Sequence, residues 1–176
     1  MSGDRSAWTI YESPLGPLTV IVGSAGVRNV YFPGRLPHLQ ESARRRLPDL
    51  ADQLDAYFAG ERKTFDLDLD LRGAPLQKLV WEQLLDIPYG TTATYGDLTK
   101  RIDESLFPQN LESYERVRLV GSTIGRTPTP ILVPCHRVIG ADGSLTGYGG
   151  GLPRKQALLE LEGAAVAGAG RQLPML

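Results

Sequence analysis

The stretch TPTPILVPCHRVI, residues 127–139, decides how the fold is interpreted. The residue before a proline is biased away from the helical region, so the two prolines that open the stretch exclude a helix and extend the chain. Ile131–Val133 then form a short apolar run that is typical of a buried segment. A buried, extended segment is therefore predicted here, and it carries the only cysteine of the chain, Cys135.

Cys135 is followed directly by His136, which places a thiol beside an imidazole. A cysteine reacts as its thiolate, and a free pKa of ~8.5 leaves only a small fraction ionised at neutral pH. A histidine that accepts the proton, itself oriented by a carboxylate, raises that fraction. Successive side chains of an extended strand point to opposite faces, so a water or a local turn has to bridge the two groups. A core cysteine beside a surface histidine is equally consistent with these two residues alone.

Helices are predicted on both sides of this segment. Apolar spacing predicts helices over residues 76–85, 94–102 and about 112–124, and Pro153 suits the first turn of a last helix that Gly163 ends. The side chains expected to face inward are Leu76, Leu79, Val80, Leu84, Leu85, Leu98, Ile102, Val117, Val120, Ile124, Leu158, Leu159 and Leu161. The first three helices suit a helix-turn-helix core, although an ordinary helical core has much the same pattern.

The N-terminal part has a different pattern. Residues 8–32 alternate between apolar and polar side chains and are interrupted by prolines and glycines, which predicts a small antiparallel meander. Residues 39–59 have helical apolar spacing that Pro48 divides, and residues 65–71 alternate as in a strand with one wet face. We therefore expect an α/β N-terminal domain over residues 1–73 and a mainly α C-terminal domain over residues 74–176.

Composition excludes several classes of protein. A chain that is 41% hydrophobic and 22% charged is globular, and it has no apolar run near the ~20 residues that span a bilayer. The N-terminal sequence has no apolar signal-peptide core, so a cytoplasmic location and no membrane partner are expected. A single cysteine excludes an internal disulfide, and with only two histidines in the chain no metal is expected.

A net charge of −1 gives the protein no overall positive field that would attract nucleic acid. A DNA-binding surface would therefore have to be a local positive patch. Arginines cluster in two places. Arg44–Arg46 are interpreted as a solvated helix face, whereas Arg116, Arg118 and Arg126 belong to the third predicted helix and its end.

Four motifs carry a resemblance to a known family. They are PCHRV at residues 134–138, IPYGTTATYG at 87–96, GYGGGL at 147–152 and SPLG at 13–16. Together they resemble the O6-alkylguanine-DNA alkyltransferase family over most of the chain. The resemblance implies a ribonuclease-H-like α/β N-terminal domain and a C-terminal domain that contains a helix-turn-helix.

The same resemblance implies a catalytic triad and a reaction. Cys135 resembles the alkyl acceptor, His136 would deprotonate it through a water, and Glu162 would orient His136. The implied substrate is O6-alkylguanine, with O4-alkylthymine, in double-stranded DNA. One irreversible turnover per molecule is implied, and no cofactor is needed because the lesion itself is the alkyl donor. The free protein is expected to be monomeric.

The target atom is inaccessible inside a stacked duplex, so the nucleotide has to be rotated out, here through the minor groove. By resemblance, Arg118 would fill the gap in the stack. Tyr95, Val138, Tyr148 and Gly149 would line the pocket for the flipped base. The residues expected to face DNA beside Arg118 are Arg116, Val117, Leu119 and Gly121.

Three departures from the family are visible. Thr127 stands where the family usually has asparagine, at the hinge between the helix-turn-helix and the cysteine strand, and threonine has no amide for that link. Arg116, Val117 and Leu119 are bulkier than the usual small residues. The connection over residues 103–113 is longer than usual, and mobility without DNA is expected there.

Three alternative functions fit less well with the sequence. A non-catalytic alkylguanine-binding relative would replace the cysteine, which is present here. A helix-turn-helix regulator that senses electrophiles would need further domains or a second thiol. A cysteine hydrolase would need an oxyanion site, for which no pattern is evident.

Overall fold

The computed structural model describes residues 6–34 and 36–166, and these form two compact units. One unit contains the described residues up to Arg72 together with Pro128–Leu132. The other contains Gly73–Thr127 and the described residues from Val133 onward. The expected division into domains 1–73 and 74–176 stays a prediction: the boundary between the two units lies after Arg72, and residues 128–132 belong to the first unit.

The first unit is built on an antiparallel meander, which confirms the prediction for residues 8–32. Its strands are β1 (Ala7–Ser13), β2 (Gly16–Gly23) and β3 (Gly26–Tyr31), in the order β1-β2-β3. At the first turn the Ser13 hydroxyl donates to the Gly16 carbonyl at 2.6 Å, and Gly16 has a φ of 101° that favours glycine.

The helix of this unit, α1, spans Pro48–Phe58 and is shorter than predicted. Its buried side chains Leu50, Leu54 and Tyr57 follow the expected helical spacing. Residues 39–47 contain only a 3₁₀ turn at Glu41–Ala43. Pro48 lies at the start of α1 and holds the residue before it outside the helical region, which explains the late start.

Residues 65–71 do not form the predicted strand. They run extended, with one isolated parallel bridge between Leu69 and Val27, and Val27 exchanges two backbone hydrogen bonds with Asp68 and Asp70. The buried Gln53 side chain binds both backbone groups of Asp66, at 2.8 and 3.0 Å. A side chain therefore satisfies backbone groups that a strand would pair with a neighbour.

Pro128–Leu132 pack within the first unit, where the Val30 amide donates to the Pro128 carbonyl at 2.8 Å. Ile131 and Leu132 are buried, as the apolar run predicts. Ile131 has a φ of 76°, a strained conformation for a β-branched residue that turns the chain just before Val133.

The second unit is mainly helical. It contains α2 (Pro75–Leu85), β4 (Ala93–Thr94), α3 (Tyr95–Lys100), α4 (Ser113–Gly125), β5 (Val138–Ile139) and α5 (Leu152–Leu161). The strands β4 and β5 form one short parallel pair, and α4 packs against both α2 and α3. In the part of the chain that the structure describes, no helix is long and apolar enough to cross a membrane.

The inward-facing positions of these helices are largely as predicted, with one clear exception. Leu85 is 46% exposed, and Trp81 instead faces the core of α2 and donates its indole N–H to the Thr123 carbonyl of α4 at 3.1 Å. The helical stripe of α2 therefore runs through Trp81 and Leu84, because Leu85 lies beyond that face.

Helix α5 ends as its sequence predicts. Gly163 adopts a φ of 68°, and its amide donates to the Glu160 carbonyl. The Ala164 amide donates to the Leu159 carbonyl, which completes a Schellman motif. This ending fixes Glu162, the last residue before the turn, in the interior of the unit.

Candidate active site around Cys135

Cys135 lies in a tight turn and not in the extended strand that the sequence predicts. Pro134 has φ −79° and ψ 59°, and the Cys135 amide donates to the Val133 carbonyl at 2.8 Å, which defines an inverse γ-turn. A 3₁₀ turn over Cys135–Arg137 follows before β5 begins. With about three residues per turn, neighbouring side chains diverge by about 120° and not by 180°, so the thiol and the imidazole need not lie on opposite faces.

His136 and Glu162 meet in the interior, as the resemblance implies. His136 Nε2 lies 2.8 Å from Glu162 Oε1, and neither side chain is exposed to solvent. A carboxylate only accepts hydrogen bonds, so the imidazole carries its proton on Nε2 and keeps the Nδ1 lone pair available. Within the described ranges, Nδ1 has no hydrogen-bond partner although it is buried.

Arg137 is a third member of this network that sequence reasoning did not assign. Its Nε donates to Glu162 Oε2 at 2.8 Å and its Nη2 donates to Glu162 Oε1 at 2.9 Å. The third donor, Nη1, binds the Ile87 carbonyl at 2.6 Å. The buried carboxylate is therefore compensated by a buried guanidinium in a two-point pair.

The turn after α2 also hydrogen-bonds to Glu162 and to its neighbour Leu161. The Gly90 amide donates to Glu162 Oε2 at 3.3 Å, and the Tyr89 hydroxyl donates to the Leu161 carbonyl at 3.3 Å. Gly90 has a φ of 76°, and a Cβ there would lie 2.9 Å from the Glu162 carbonyl oxygen. This contact gives a physical reason for the Ile87–Gly90 motif, which the sequence supplied only as a resemblance.

His136 is neutral at physiological pH. Burial lowers its pKa below the ordinary value of 6.5, and this outweighs the raising effect of the Glu162 hydrogen bond and charge. The cations Arg137 and Lys155 lower the pKa further. The imidazole is thus available as a proton acceptor.

The thiol of Cys135 is protonated at rest, because burial raises its pKa to about 11. Four groups act in the opposite direction: the Thr127 side chain, the charge of Lys155 and the backbone amides of Cys135 and His136. The Thr127 hydroxyl also donates to the Ile124 carbonyl at the end of α4, at 2.7 Å. Thr127 therefore touches both the thiol and the helix that precedes it.

Lys155 is a second residue that sequence reasoning missed. It is fully buried on α5, where its ammonium group donates to the carbonyls of Val138 and Thr146 and lies 5.8 Å from the Tyr95 ring. Burial lowers its pKa to about 8. Lysine is usually a surface residue, and its sequence context on α5 gave no signal of this role.

Lys155 joins the residues that were predicted to line the base pocket. Val138 is in direct contact with it, and the Tyr95 hydroxyl donates to the same Thr146 carbonyl at 2.8 Å. Tyr148 and Gly149 follow in that loop, and a Cβ on Gly149 would lie 3.2 Å from the Gly125 carbonyl of α4. These contacts place Tyr95 and Val138 around Lys155 and place Gly149 against the end of α4, and the role of the four residues as a base pocket stays a prediction.

The predicted DNA-facing residues do not share one environment. Arg118 is exposed on α4. Gly121 lies against the Tyr95 ring, because a Cβ added to Gly121 would be 3.5 Å from the nearest ring carbon. Val117 and Leu119 are half-buried. Arg116 instead pairs with Glu104 at 2.6 Å, so it lies away from the Arg118 face in this structure.

The connection before α4 is anchored by this arginine. The Arg116 guanidinium lies 5.8 Å from the ring of the buried Phe107, in addition to its pair with Glu104. A 3₁₀ turn over Glu104–Leu106 is capped by Asp103, whose carboxylate accepts from the Ser105 amide at 2.8 Å. Among the described residues, no group of His, Cys, Asp and Glu side chains is arranged to hold a metal ion.

Comparison with known families covers nearly all of the described chain. Residues 7–71 match the family model of the 6-O-methylguanine DNA methyltransferase ribonuclease-like domain, and residues 75–164 match that of the DNA binding domain. The chain belongs to the 6-O-methylguanine DNA methyltransferase family.

Relatives from bacteria and archaea support the assignment to this methyltransferase family. The methylated-DNA–protein-cysteine methyltransferase of Mycobacterium tuberculosis is 46% identical over 158 residues, which are 86% of this chain and 88% of that protein. The protein of the same name from Methanosarcina acetivorans is 41% identical over 162 residues, which are 89% of this chain and 98% of its own length.

Solved structures of the family have the same fold. The Mycobacterium tuberculosis O6-methylguanine methyltransferase superposes with a TM-score of 0.76 at 42% identity, over 90% of this chain and 93% of that one. The Mycobacterium tuberculosis OGT in complex with DNA superposes with a TM-score of 0.72 at 43% identity, over 89% and 92%. The chain therefore has the two-domain fold of these methyltransferases, with an N-terminal sheet domain and a helical C-terminal DNA-binding domain.

Proposed function

We propose that this protein repairs DNA by direct reversal: it transfers the alkyl group of O6-alkylguanine in duplex DNA to Sγ of its own Cys135. The observation that carries the proposal is the buried network in which Glu162, at the end of α5, binds His136 and Arg137 of the turn that holds the only thiol of a chain from this family. By the same chemistry we extend the substrate to O4-alkylthymine.

Proton transfer and alkyl transfer are coupled in this site. A thiol with a pKa near 11 holds its proton at neutral pH, so the proton has to leave as the sulfur attacks. His136 Nδ1 accepts it through a water, and Glu162 stabilises the imidazolium that forms. Sγ forms a bond to the alkyl carbon, the bond from that carbon to O6 breaks, and its electron pair remains on guanine, which regains a proton.

The product is a thioether, which has no acidic proton and no good leaving group. Regeneration would need a second thiol, and Cys135 is the only cysteine among the 176 residues. One alkyl group is therefore accepted per molecule. No cofactor takes part, because the lesion supplies the alkyl group.

We assign DNA recognition to α3 and α4, which form a helix-turn-helix in the second unit, and a ribonuclease-H-like topology to the first. Arg118 enters the base stack from the minor groove when the damaged nucleotide rotates out. The flipped base is held between Tyr95 and the loop that contains Tyr148 and Gly149. The exposed Arg118 and the Tyr95–Thr146–Lys155 contacts support these roles.

A mass measurement tests the proposal. The protein is incubated with a duplex that contains O6-methylguanine and then digested with trypsin, which releases Cys135 in the peptide Thr127–Arg137. We expect this peptide to gain the mass of one methylene group, in one-to-one ratio with repaired guanine. The matched duplex with unmodified guanine serves as the control. A protein that binds the methylated duplex and yields only the unmodified peptide is not a methyltransferase.

Thr127 offers a second test, because its hydroxyl contacts both Cys135 and the end of α4. The hydroxyl has one proton, which it gives to the Ile124 carbonyl at rest and can turn toward sulfur as the thiolate forms. Hydrogen bonds to a charged group contribute about 1.5–3 kcal/mol, so Thr127→Ala is expected to slow alkyl transfer at least tenfold. The pH profile of the rate shifts to higher pH, since the hydroxyl lowers the pKa of the thiol. Thr127→Asn retains a donor and an acceptor and is expected to transfer at the wild-type rate. Equal single-turnover rates for all three proteins would show that this contact has no part in the reaction.

A further inference from the structure

The outward face of α4 extends beyond the residues already assigned to DNA binding. The buried side chains of the helix are Val120, Thr123 and Ile124, which pack toward the core of the second unit. The opposite face is exposed at Tyr114, Arg118, Ser122 and Gly125. These positions repeat at helical spacing and form one continuous surface stripe.

Tyr114 is the feature of this stripe that the proposed function does not use. At 62% exposure it is the most exposed of the large hydrophobic side chains in the described ranges. It lies four residues before Arg118, so the two Cβ atoms are neighbours about 5–6 Å apart on one face. Helical side chains lean toward the N-terminus, and this brings the arginine toward the ring.

The charges around Tyr114 indicate which part of DNA it can approach. Glu112 and Glu115 flank it at the start of α4, and the Glu115 carboxylate accepts from the Glu112 amide at 2.8 Å. Two carboxylates repel phosphate, so a hydroxyl–phosphate contact is unfavourable here. The apolar ring remains free to pack on sugars and bases, which carry no charge.

We infer that Tyr114 is a second DNA-contacting side chain of α4, whose ring packs in the minor groove beside the nucleotides that flank the lesion. The inference rests on the proposed function, in which the Arg118 face of α4 meets the duplex. Four residues of helix span about 6 Å, and stacked base pairs are about 3.4 Å apart. For a helix that runs along the groove, the ring therefore lies at most about two base steps from the position that Arg118 fills.

Equilibrium binding to an unmodified duplex measures this contact without the alkyl-transfer step. Burial of a large apolar side chain contributes about 1.5–3 kcal/mol, so Tyr114→Ala is expected to weaken binding about tenfold. Tyr114→Phe retains the ring and is expected to bind as wild type does. Leu36→Ala, at a position that is 54% exposed in the first unit, is the matched control for loss of an exposed hydrophobic side chain and should bind normally. Thermal unfolding checks that each variant is folded.

Fluorescence reports directly on whether DNA covers the side chain. The two native tryptophans, Trp8 and Trp81, are buried, so acrylamide quenches them weakly. Tyr114→Trp adds an exposed tryptophan that acrylamide quenches in the free protein and that duplex DNA should protect. Leu36→Trp should remain quenchable in the complex.

The outcomes distinguish the inference about Tyr114 from the proposed function. Wild-type binding by Tyr114→Ala, or a Tyr114→Trp emission that remains quenchable with DNA bound, overturns the inference while methyl transfer by the wild type leaves the proposed function intact. A wild-type protein that neither binds duplex nor accepts a methyl group overturns both.

Discussion

Cys135→Ser is expected to abolish alkyl transfer and to leave binding of the methylated duplex unchanged. Serine differs from cysteine by one atom and fits the same buried turn, but its hydroxyl ionises far less readily than a thiol. No second cysteine exists in the chain to accept the group. The measurement pairs the mass of the Thr127–Arg137 peptide with a titration of duplex binding under the same conditions.

This variant also separates the alternatives that the sequence left open. A lesion-binding protein without catalysis would behave identically with cysteine or serine at this position. A methyltransferase loses the mass gain and retains binding. Repair of the guanine by the serine variant at the wild-type rate would place the acceptor elsewhere, and the role assigned to Cys135 would then be wrong.

Local patterns predicted those elements whose ends are set by nearby residues. The β1–β3 meander follows its alternation, and α5 ends at Gly163 through backbone hydrogen bonds within the motif itself. The strand predicted at residues 65–71 failed for the opposite reason. The Gln53 side chain, thirteen residues earlier in the chain, binds the Asp66 backbone. Local sequence patterns do not predict a hydrogen-bond partner at that distance. The start of α1 was missed, because helical spacing begins at residue 39 and the helix begins only at Pro48.

The turn at Cys135 illustrates a similar limit at the site. Flanking prolines correctly predicted a chain outside the α-helix, but they did not distinguish an extended strand from an inverse γ-turn followed by a 3₁₀ turn. Side-chain direction depends on that difference. The predicted strand required a bridge between opposite faces, whereas the turn removes that requirement.

Two buried cations were missed because their partners are remote in sequence. Arg137 meets a carboxylate 25 residues away and a carbonyl 50 residues away, and Lys155 meets a carbonyl 17 residues away. Glu162 itself was placed only by family resemblance. Charged residues are rarely buried unless paired, so sequence composition favours placing them at the surface.

Glu162→Gln is expected to slow alkyl transfer by about 100-fold or more, the low end of what general base catalysis contributes. Glutamine retains the shape, but its amide can donate to His136 Nε2, and this moves the imidazole proton to Nδ1. The atom that should accept the thiol proton is then occupied. Loss of Glu162 also lowers the pKa of His136 further, so protonation of the imidazole cannot explain a loss of rate at neutral pH.

The same substitution leaves the Arg137 guanidinium buried without a counter-charge, which costs about 3 kcal/mol of folding free energy. Glu160→Gln is the matched control, because Glu160 lies on the same helix, is exposed and contacts only the Gln156 side chain, at 2.8 Å, among the side chains that the structure describes. We expect this control to unfold and to transfer the alkyl group as wild type does.

The double variant Arg137→Met/Glu162→Gln distinguishes a catalytic effect from a structural one. Removal of both charges eliminates the uncompensated cation, so stability is expected to recover while the rate remains low. Nitrogen NMR of the His136 ring, which reports the position of its proton, should show Nδ1 protonated in both proteins that carry the Glu162→Gln substitution and Nε2 protonated in wild type. A rate that recovers together with stability would mean that Glu162 serves the fold alone. In that case the carboxylate would not be needed to keep the His136 proton on Nε2, and the buried network would have no direct part in moving the thiol proton.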